Sequence, residues 1–284
     1  MERRPVSYDM FNWECERRLV QYKRRDMKAV TGRLQQVCSI LRHGEDHTVQ
    51  TKFGGSVEKG AYAPGLSDVD ALLIVNQSSL RNRPPAEVIA YIREVIQRHL
   101  PNNRVDTGKL AVTVGYRDRT EIQILPAIRT KGGFRIADPG SDEWSDVVYP
   151  ERFVERLIEV NNARGGRVVP TIKLAKAIAD CHVTRPSRKI KGHHLEALAI
   201  GAFGDYQGAL DPKATLDRLF SYAMEAVMGP IRDSTGQSLQ VDGDLGPAGS
   251  LERKRAATYF GQMRGKIRTC GTKAEFDALF CEGS

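Results

Sequence analysis

Two aspartates at alternate positions are the residues of this sequence best suited to chemistry. Asp68 and Asp70 flank Val69 and lead into Ala71–Val75, an apolar run that predicts a buried strand. Because side chains alternate across a strand, both carboxylates are expected on the same side. Neighbouring carboxylates are costly without a cation between them, and their oxygens are ligands for hard divalent ions. We therefore expect two Mg²⁺ (or Mn²⁺) ions, which would activate an attacking hydroxyl and stabilise a leaving pyrophosphate.

A glycine-serine turn precedes the two aspartates. Gly55 and Ser56 follow the β-like run Thr48–Phe53, and eleven residues separate Ser56 from Asp68. Backbone N–H groups and a hydroxyl in such a turn can bind a triphosphate, with no bulky side chain in the way. The alternative is that Ser67–Asp70 is only a polar turn before a buried strand. The turn, the strand after it and a second acidic strand about fifty residues on together favour chemistry.

The composition is that of a soluble globular protein. Of 284 residues, 40% are hydrophobic and 27% are charged, and the formal net charge of +8 favours anionic partners such as phosphates. No apolar stretch approaches the length of a bilayer span, and charges interrupt the N-terminus where a secretory leader needs an apolar core. The five cysteines are scattered, without a CxxC pair. We expect a monomeric cytoplasmic protein with reduced thiols and no membrane contact.

The first half of the sequence mixes helix and strand patterns. Apolar residues recur at helical spacing over Met27–Leu41 and over about 86–99. The runs Leu110–Tyr116 and Glu121–Leu125 predict a hairpin with a four-residue loop, and Pro126 is expected to end its second strand.

The second half of the sequence has helical periodicity throughout. After Pro150 this periodicity covers the runs 151–162, 170–182, 193–206, 212–228 and 250–268. We therefore predict an α+β fold. Residues 1–150 would form the core with the mixed sheet and an N-terminal helix, and residues 151–284 would form a helical lobe.

The chain resembles the DNA polymerase β superfamily of nucleotidyltransferases. The pattern Gly55-Ser56-x-x-x-Gly60-Ala61, followed by Ser67-Asp68-Val69-Asp70, is similar to that of its cGAS/DncV-like (CD-NTase) and oligoadenylate synthetase branch. Further stretches match in the same order: Ile124–Ala127, Trp144 with Tyr149–Glu151 and Asn161, Pro170–Lys176, His193–Glu196 and Asp233–Gly236. The resemblance covers about residues 45 to 260.

The resemblance implies a fold and an activity. The fold would be a two-lobed polymerase β-like core plus a C-terminal helical lobe, with nucleotide in the cleft between. A ribose hydroxyl of one nucleoside triphosphate would attack the α-phosphate of another and release pyrophosphate. A second round would give a cyclic di- or trinucleotide, a second messenger in bacterial anti-phage defence. Two alternatives stay open, namely transfer to an RNA end or another acceptor and a catalytically inactive nucleotide or RNA sensor; any regulatory protein or nucleic-acid activator stays unidentified.

One position departs from the pattern of that family. Where its third-carboxylate strand carries an aspartate, this sequence has Gln123, and a neutral amide holds Mg²⁺ poorly. Glu121 lies two residues earlier on the same strand face, about 7 Å away along the backbone but with a longer side chain than aspartate. We expect Glu121 to complete the metal site with Asp68 and Asp70, and Gln123 to contact nucleotide. The alternative is an incomplete, inactive triad.

Two residues of the helical lobe complete the predicted nucleotide site. The resemblance assigns a triphosphate contact to Lys176, whereas Lys173 is explained equally well as a solvent-facing lysine. His194 is expected to contact nucleotide as well. A packed or capping role is the alternative for His194, and a structural role is the alternative for Glu196.

Overall fold

The computed structural model describes residues 6–24, 27–42, 50–53, 69–117, 120–138, 140–182, 190–231 and 245–281. Contacts within the chain divide it into two compact units. The sheet unit is Arg25–Val154, and the helical unit combines Met1–Arg24 with Glu155–Ser284.

The sheet unit is built on one mixed sheet. Its described elements are α2 (Met27–Arg42), β1 (Gln50–Phe53), β2 (Val69–Ile74), a 3-10 helix (Ser79–Asn82), α3 (Pro85–His99), β3 (Arg104–Thr107), β4 (Val112–Gly115), β5 (Glu121–Thr130) and β6 (Gly133–Ile136). Along the described residues the strand order is β1-β2-β5-β4-β3, with β6 also paired to β5. Strands β2 and β5 run parallel, and the other neighbouring pairs are antiparallel.

The alternation of side chains in β5 separates an apolar from a polar face of the sheet. Ile122 and Ile124 are fully buried, and they share a core with residues of α2 and α3 such as Leu34 and Ile92. Glu121 and Gln123, at the alternate positions, are only partly buried. Because side chains of one strand alternate between faces, the helices cover the apolar face and the candidate site residues of β5 share the other.

The second strand of the predicted hairpin is longer than expected. The hairpin of β4 and β5 is present, but β5 continues through Pro126 to Thr130, so the expectation that Pro126 ends it was wrong. Strand β4 pairs with β5 up to Ile124, and β6 pairs with it from Ala127 onward. Along this edge of β5, Pro126 therefore falls in the gap between the part paired with β4 and the part paired with β6. Its missing N–H interrupts neither of these two ladders.

The helical unit has, along the described residues, the helices α1 (Val6–Arg24), α4 (Pro150–Ala163, which begins in the sheet unit), α5 (Val168–His182), α6 (Gly192–Phe203), α7 (Pro212–Ala226), α8 (Leu251–Thr269) and α9 (Lys273–Phe280). No helix of the described ranges is both long and apolar enough to cross a membrane.

The N-terminal helix belongs to the helical unit and not, as predicted from the sequence, to the sheet core. Helix α1 packs against α5, α7 and α9, because its apolar face finds partners there. Phe11 is fully buried with its ring centroid 5.4 Å from that of Phe276.

Two cysteines are joined, which corrects the expectation of reduced thiols throughout. Cys181 at the end of α5 and Cys281 after α9 form a disulfide, with their Cα atoms 5.6 Å apart. The other three cysteines are buried and free. The joined residues are 100 positions apart, so only the packing of α5 against α9 brings them together.

Candidate active site

The strand register brings Asp70 beside Gln123. In the parallel pair of β2 and β5 these two residues are direct partners, and Gln123 is in turn the partner of Thr113 in β4. Thr113 pairs with Asp106 in β3. Neighbouring strands of a sheet lie about 4.7–4.9 Å apart, so the backbones of paired residues are close together. One row across four strands, which we call the carboxylate row, is therefore Asp106, Thr113, Gln123 and Asp70.

A second row runs beside the first on the same face of the sheet. It joins Arg104, Gly115 and Glu121 across β3, β4 and β5, and we call it the arginine row. The Arg104 guanidinium forms an ion pair with Glu121, and its Nε lies 2.8 Å from Oδ2 of Asp106 in the carboxylate row. The two rows are thus linked through one arginine.

Gly115 creates the space in which Arg104 crosses between the strands. A Cβ atom at position 115 would lie 3.3 Å from Nε and 3.6 Å from Cζ of Arg104, closer than most Cβ contacts in proteins. A side chain at position 115 would therefore require the exposed Arg104 side chain to shift by a few tenths of an ångström. Glycine avoids that crowding beside the Arg104–Glu121 contact.

Several predicted site residues lie outside the described residues. These are Gly55, Ser56 and Asp68, and for Asp70 only the backbone is described. Within the described ranges no group of three His, Cys, Asp or Glu residues could hold a metal ion. The roles of Asp68, Asp70 and Glu121 as metal ligands stay predictions, and Glu121 would have to exchange Arg104 for the cation.

Lys176 is in the interior of the helical unit. It is only 4% exposed, and its Nζ lies 2.9 Å from Oε1 of Glu196, which is 2% exposed. Gly192 makes room for this lysine, because a Cβ atom there would approach Cε to 3.0 Å and Nζ to 3.3 Å. Glu196 therefore has a structural role, as one partner of a buried ion pair, which is the alternative given for it in the sequence analysis. A phosphate contact by Lys176 stays a prediction, and in this conformation the ammonium group serves the buried ion pair.

His194 occupies the start of α6 in a capping arrangement. Its side chain is fully buried, and its Nδ1 accepts a hydrogen bond from the backbone N–H of Lys191 at 3.2 Å. The neighbouring His193 ring meets it edge-on, with the centroids 4.4 Å apart. This geometry agrees with the packed or capping alternative for His194. A nucleotide contact by this ring stays a prediction.

The arginine row was not predicted from the sequence. Arg104 and Asp106 alternate around the buried Val105, a period-two signal for a strand with one polar face. That signal could have placed the two charges on one face of an additional strand. It could not have predicted their partners, because the register of β3, β4 and β5 depends on long-range pairing.

Solved structures share this architecture. The Bradyrhizobium diazoefficiens CD-NTase CdnG in complex with GTP is similar with a TM-score of 0.68 and 12% sequence identity, over 89% of each chain. CdnC of E. coli MS115-1 with ATP has a TM-score of 0.67 and 16% identity over 92% of each chain. The 3′-deoxy GTP bound form of Escherichia coli DncV has a TM-score of 0.67 and 12% identity, and the match covers 87% of this chain and 74% of DncV. The chain has the CD-NTase fold.

The CD-NTase fold is reached here by a divergent sequence. No protein-family model matches the chain, and no curated protein is significantly similar to it in sequence. The predicted fold class, a polymerase β-like mixed α+β core with a helical lobe, is confirmed by the solved structures. At identities of 12% to 16% these structures establish the fold, so the chemistry must be argued from the residues of this chain.

Proposed function

We propose that this protein is a metal-dependent nucleotidyltransferase that joins nucleoside triphosphates and releases pyrophosphate. The observation that carries the proposal is the parallel register of β2 and β5, which pairs Asp70 with the polar side of β5 within a CD-NTase fold. The apolar side of β5 is covered by helices, so the polar residues of the two rows are on the face left for substrate.

The residues of the site divide the work of the reaction. Asp68 and Asp70 would hold divalent cations, and Gln123, the direct neighbour of Asp70, offers an amide oxygen as a weaker ligand or a nucleotide contact. Bound Mg²⁺ or Mn²⁺ would lower the pKa of the attacking hydroxyl and neutralise charge on the leaving group. Gly55 and Ser56 would bind the triphosphate through backbone N–H groups and a hydroxyl.

The bond changes of the proposed reaction are simple. A ribose hydroxyl of the acceptor nucleotide forms a bond to the α-phosphorus of the donor, and the bond from that phosphorus to the pyrophosphate oxygen breaks. The hydroxyl proton is lost to solvent or to a site carboxylate, and pyrophosphate takes the electron pair of the broken bond. Each round therefore gives one phosphodiester and one pyrophosphate.

We further propose that the product is a cyclic di- or trinucleotide that acts as a second messenger in anti-phage defence. Support comes from solved structures of the same fold. One is the Vibrio cholerae DncV cyclic AMP-GMP synthase with the linear intermediate pppA(3′,5′)pG, and another is the Elizabethkingia meningoseptica CdnE cyclic dinucleotide synthase. Both resemble this chain at low identity, 11% and 15%, so the product itself has to be measured.

Product analysis tests this proposal. The purified chain is incubated with four labelled nucleoside triphosphates and Mg²⁺ or Mn²⁺, and the products are treated with phosphatase and nuclease. A cyclic product resists phosphatase because it has no terminal phosphate monoester. A phosphatase-sensitive ladder would indicate linear oligonucleotides or addition to an RNA end instead.

The inactive sensor is the second candidate, and one observation favours it. The residue paired with Asp70 is the amide Gln123, and the nearest carboxylate on β5, that of Glu121, is engaged by Arg104. A sensor would bind nucleotide without releasing pyrophosphate. Binding measured by calorimetry without any turnover in the product assay would therefore support the sensor.

A further inference from the structure

The position of Arg104 bears on how the proposed site binds cations. Its guanidinium contacts the carboxylates of Glu121 and Asp106, one in each row of the polar face. The two carboxylates share one guanidinium, whose single positive charge favours the ionised form of both. A divalent cation at the proposed site would do the same at Glu121. Arg104 and the metal are therefore alternative partners for one carboxylate.

The contact is of a kind that can exchange. The side chain of Arg104 is 62% exposed and that of Glu121 is 35% exposed, so water solvates both charges. Ion pairs this accessible contribute little to stability, and salt screens them. Gly115, the residue opposite Arg104 in β4, has no side chain to pack against the guanidinium. Arg104 can leave Glu121 without unpacking a core.

We propose that Arg104 is a positioning residue that holds Glu121 in the arginine row and competes with a divalent cation for its carboxylate. This inference rests on the proposed function, since it takes the site at Asp68 and Asp70 to bind the cation. It explains how a sequence with an amide at position 123 can still offer a third carboxylate from the next row. It also implies that the site binds cations less tightly than its carboxylates alone would allow.

Manganese binding without nucleotide tests the competition. The free Mn²⁺ concentration is followed by electron paramagnetic resonance at low ionic strength, with the wild-type chain, R104Q and R98Q. Arg98 is the matched control, because it pairs with Glu94 at 2.8 Å on the exposed side of α3 and loses the same charge when substituted. Because an exposed ion pair is weak, freeing Glu121 from Arg104 should tighten Mn²⁺ binding about two- to fivefold in R104Q. R98Q should bind as the wild type does.

Two further variants make the outcome specific. In an E121Q background most of the R104Q effect should be lost, because the contested carboxylate is absent. The R104Q effect should also shrink as salt is added. Equal Mn²⁺ affinity in R104Q and wild type, or an R104Q effect of the same size in E121Q, would overturn the competition.

The proposed function has its own readout in the same experiment. D70N should lose most of its Mn²⁺ binding if the carboxylate row holds the metal. Unchanged binding in D70N would refute the proposed metal site and the competition with it. If D70N weakens binding and R104Q does not change it, only the inference about Arg104 fails. Thermal melting of each variant confirms that the variants are folded.

Discussion

Replacement of Lys176 by methionine should destabilise the helical unit strongly. Methionine fills nearly the same volume but leaves the Glu196 carboxylate buried without its ammonium partner. Both side chains of this pair are only 3% exposed, and Nζ lies 2.9 Å from Oε1, so water cannot take over the lost interaction. Breaking a buried ion pair by removing one partner costs about 3–5 kcal/mol. That is a large part of the 5–15 kcal/mol that typically stabilises a folded protein.

Urea denaturation at pH 7 measures the effect against two controls. K173M makes the same chemical change three residues earlier on α5, where the lysine is half-buried, and should cost less than about 1 kcal/mol. The double variant K176M/E196M removes both charges, and its stability should return to within about 1–2 kcal/mol of the wild type. The slope of the transition should stay constant across the series, so that the midpoints report stability.

A loss of unfolding free energy below about 1 kcal/mol in K176M would show that the ion pair does not stabilise the helical unit. So would a loss in the double variant equal to the sum of the losses in K176M and E196M. The double variant also separates structure from function. A triphosphate contact by Lys176 would reduce the nucleotide affinity of this stable variant. A lysine that only stabilises the helical unit would leave nucleotide affinity unchanged.

Three further outcomes are expected. Q123D should raise product formation by restoring a carboxylate beside Asp70, as followed by product yield at limiting Mg²⁺; no gain would exclude position 123 from the metal site. In a C181S/C281S variant the free energy of unfolding should fall by about 2–4 kcal/mol without reductant, and titration of the denatured wild type should find three free thiols rather than five. Hydrogen bonds from the backbone N–H of Gly271 and from Thr272 lower the pKa of Glu275 below its usual 4.5, so the ionised carboxylate stabilises the folded state above pH 4.5. Urea denaturation should therefore find E275Q less stable than the wild type at pH 7, and this difference in unfolding free energy should vanish as the pH falls through the lowered pKa.

Local pattern predicted the elements of the sheet better than their pairing. The run Glu121–Leu125 was correctly predicted to be a strand paired with the run before it, because its period-two pattern is visible in the local sequence. The partnership of Gln123 with Asp70 and of Arg104 with Glu121 depends on register between distant strands. The sequence shows these charged residues, but it does not show which residues of other strands lie beside them.

The helical unit shows the same limit for Lys176. Its helix is apolar on most sides, with Ile172, Leu174 and Ile178 all buried, so a lysine among them is expected to be buried and to need a partner. The family resemblance assigned a triphosphate contact to Lys176 instead. Helix α1 belongs to this unit through packing against helices that are distant in sequence, and local periodicity does not encode such packing.

Pyrophosphate release decides whether this chain is a metal-dependent nucleotidyltransferase. The wild-type chain, D70N and E94Q are each given mixed nucleoside triphosphates with Mg²⁺ or Mn²⁺, and pyrophosphate is measured with a coupled enzyme. Glu94 is an exposed carboxylate on α3 and controls for the loss of one negative charge. We expect metal-dependent release by the wild type and E94Q, with the D70N rate about a thousandfold lower. Release by D70N at the wild-type rate would remove Asp70 from the metal site, and no release by the wild type with either metal would rule out the nucleotidyltransferase.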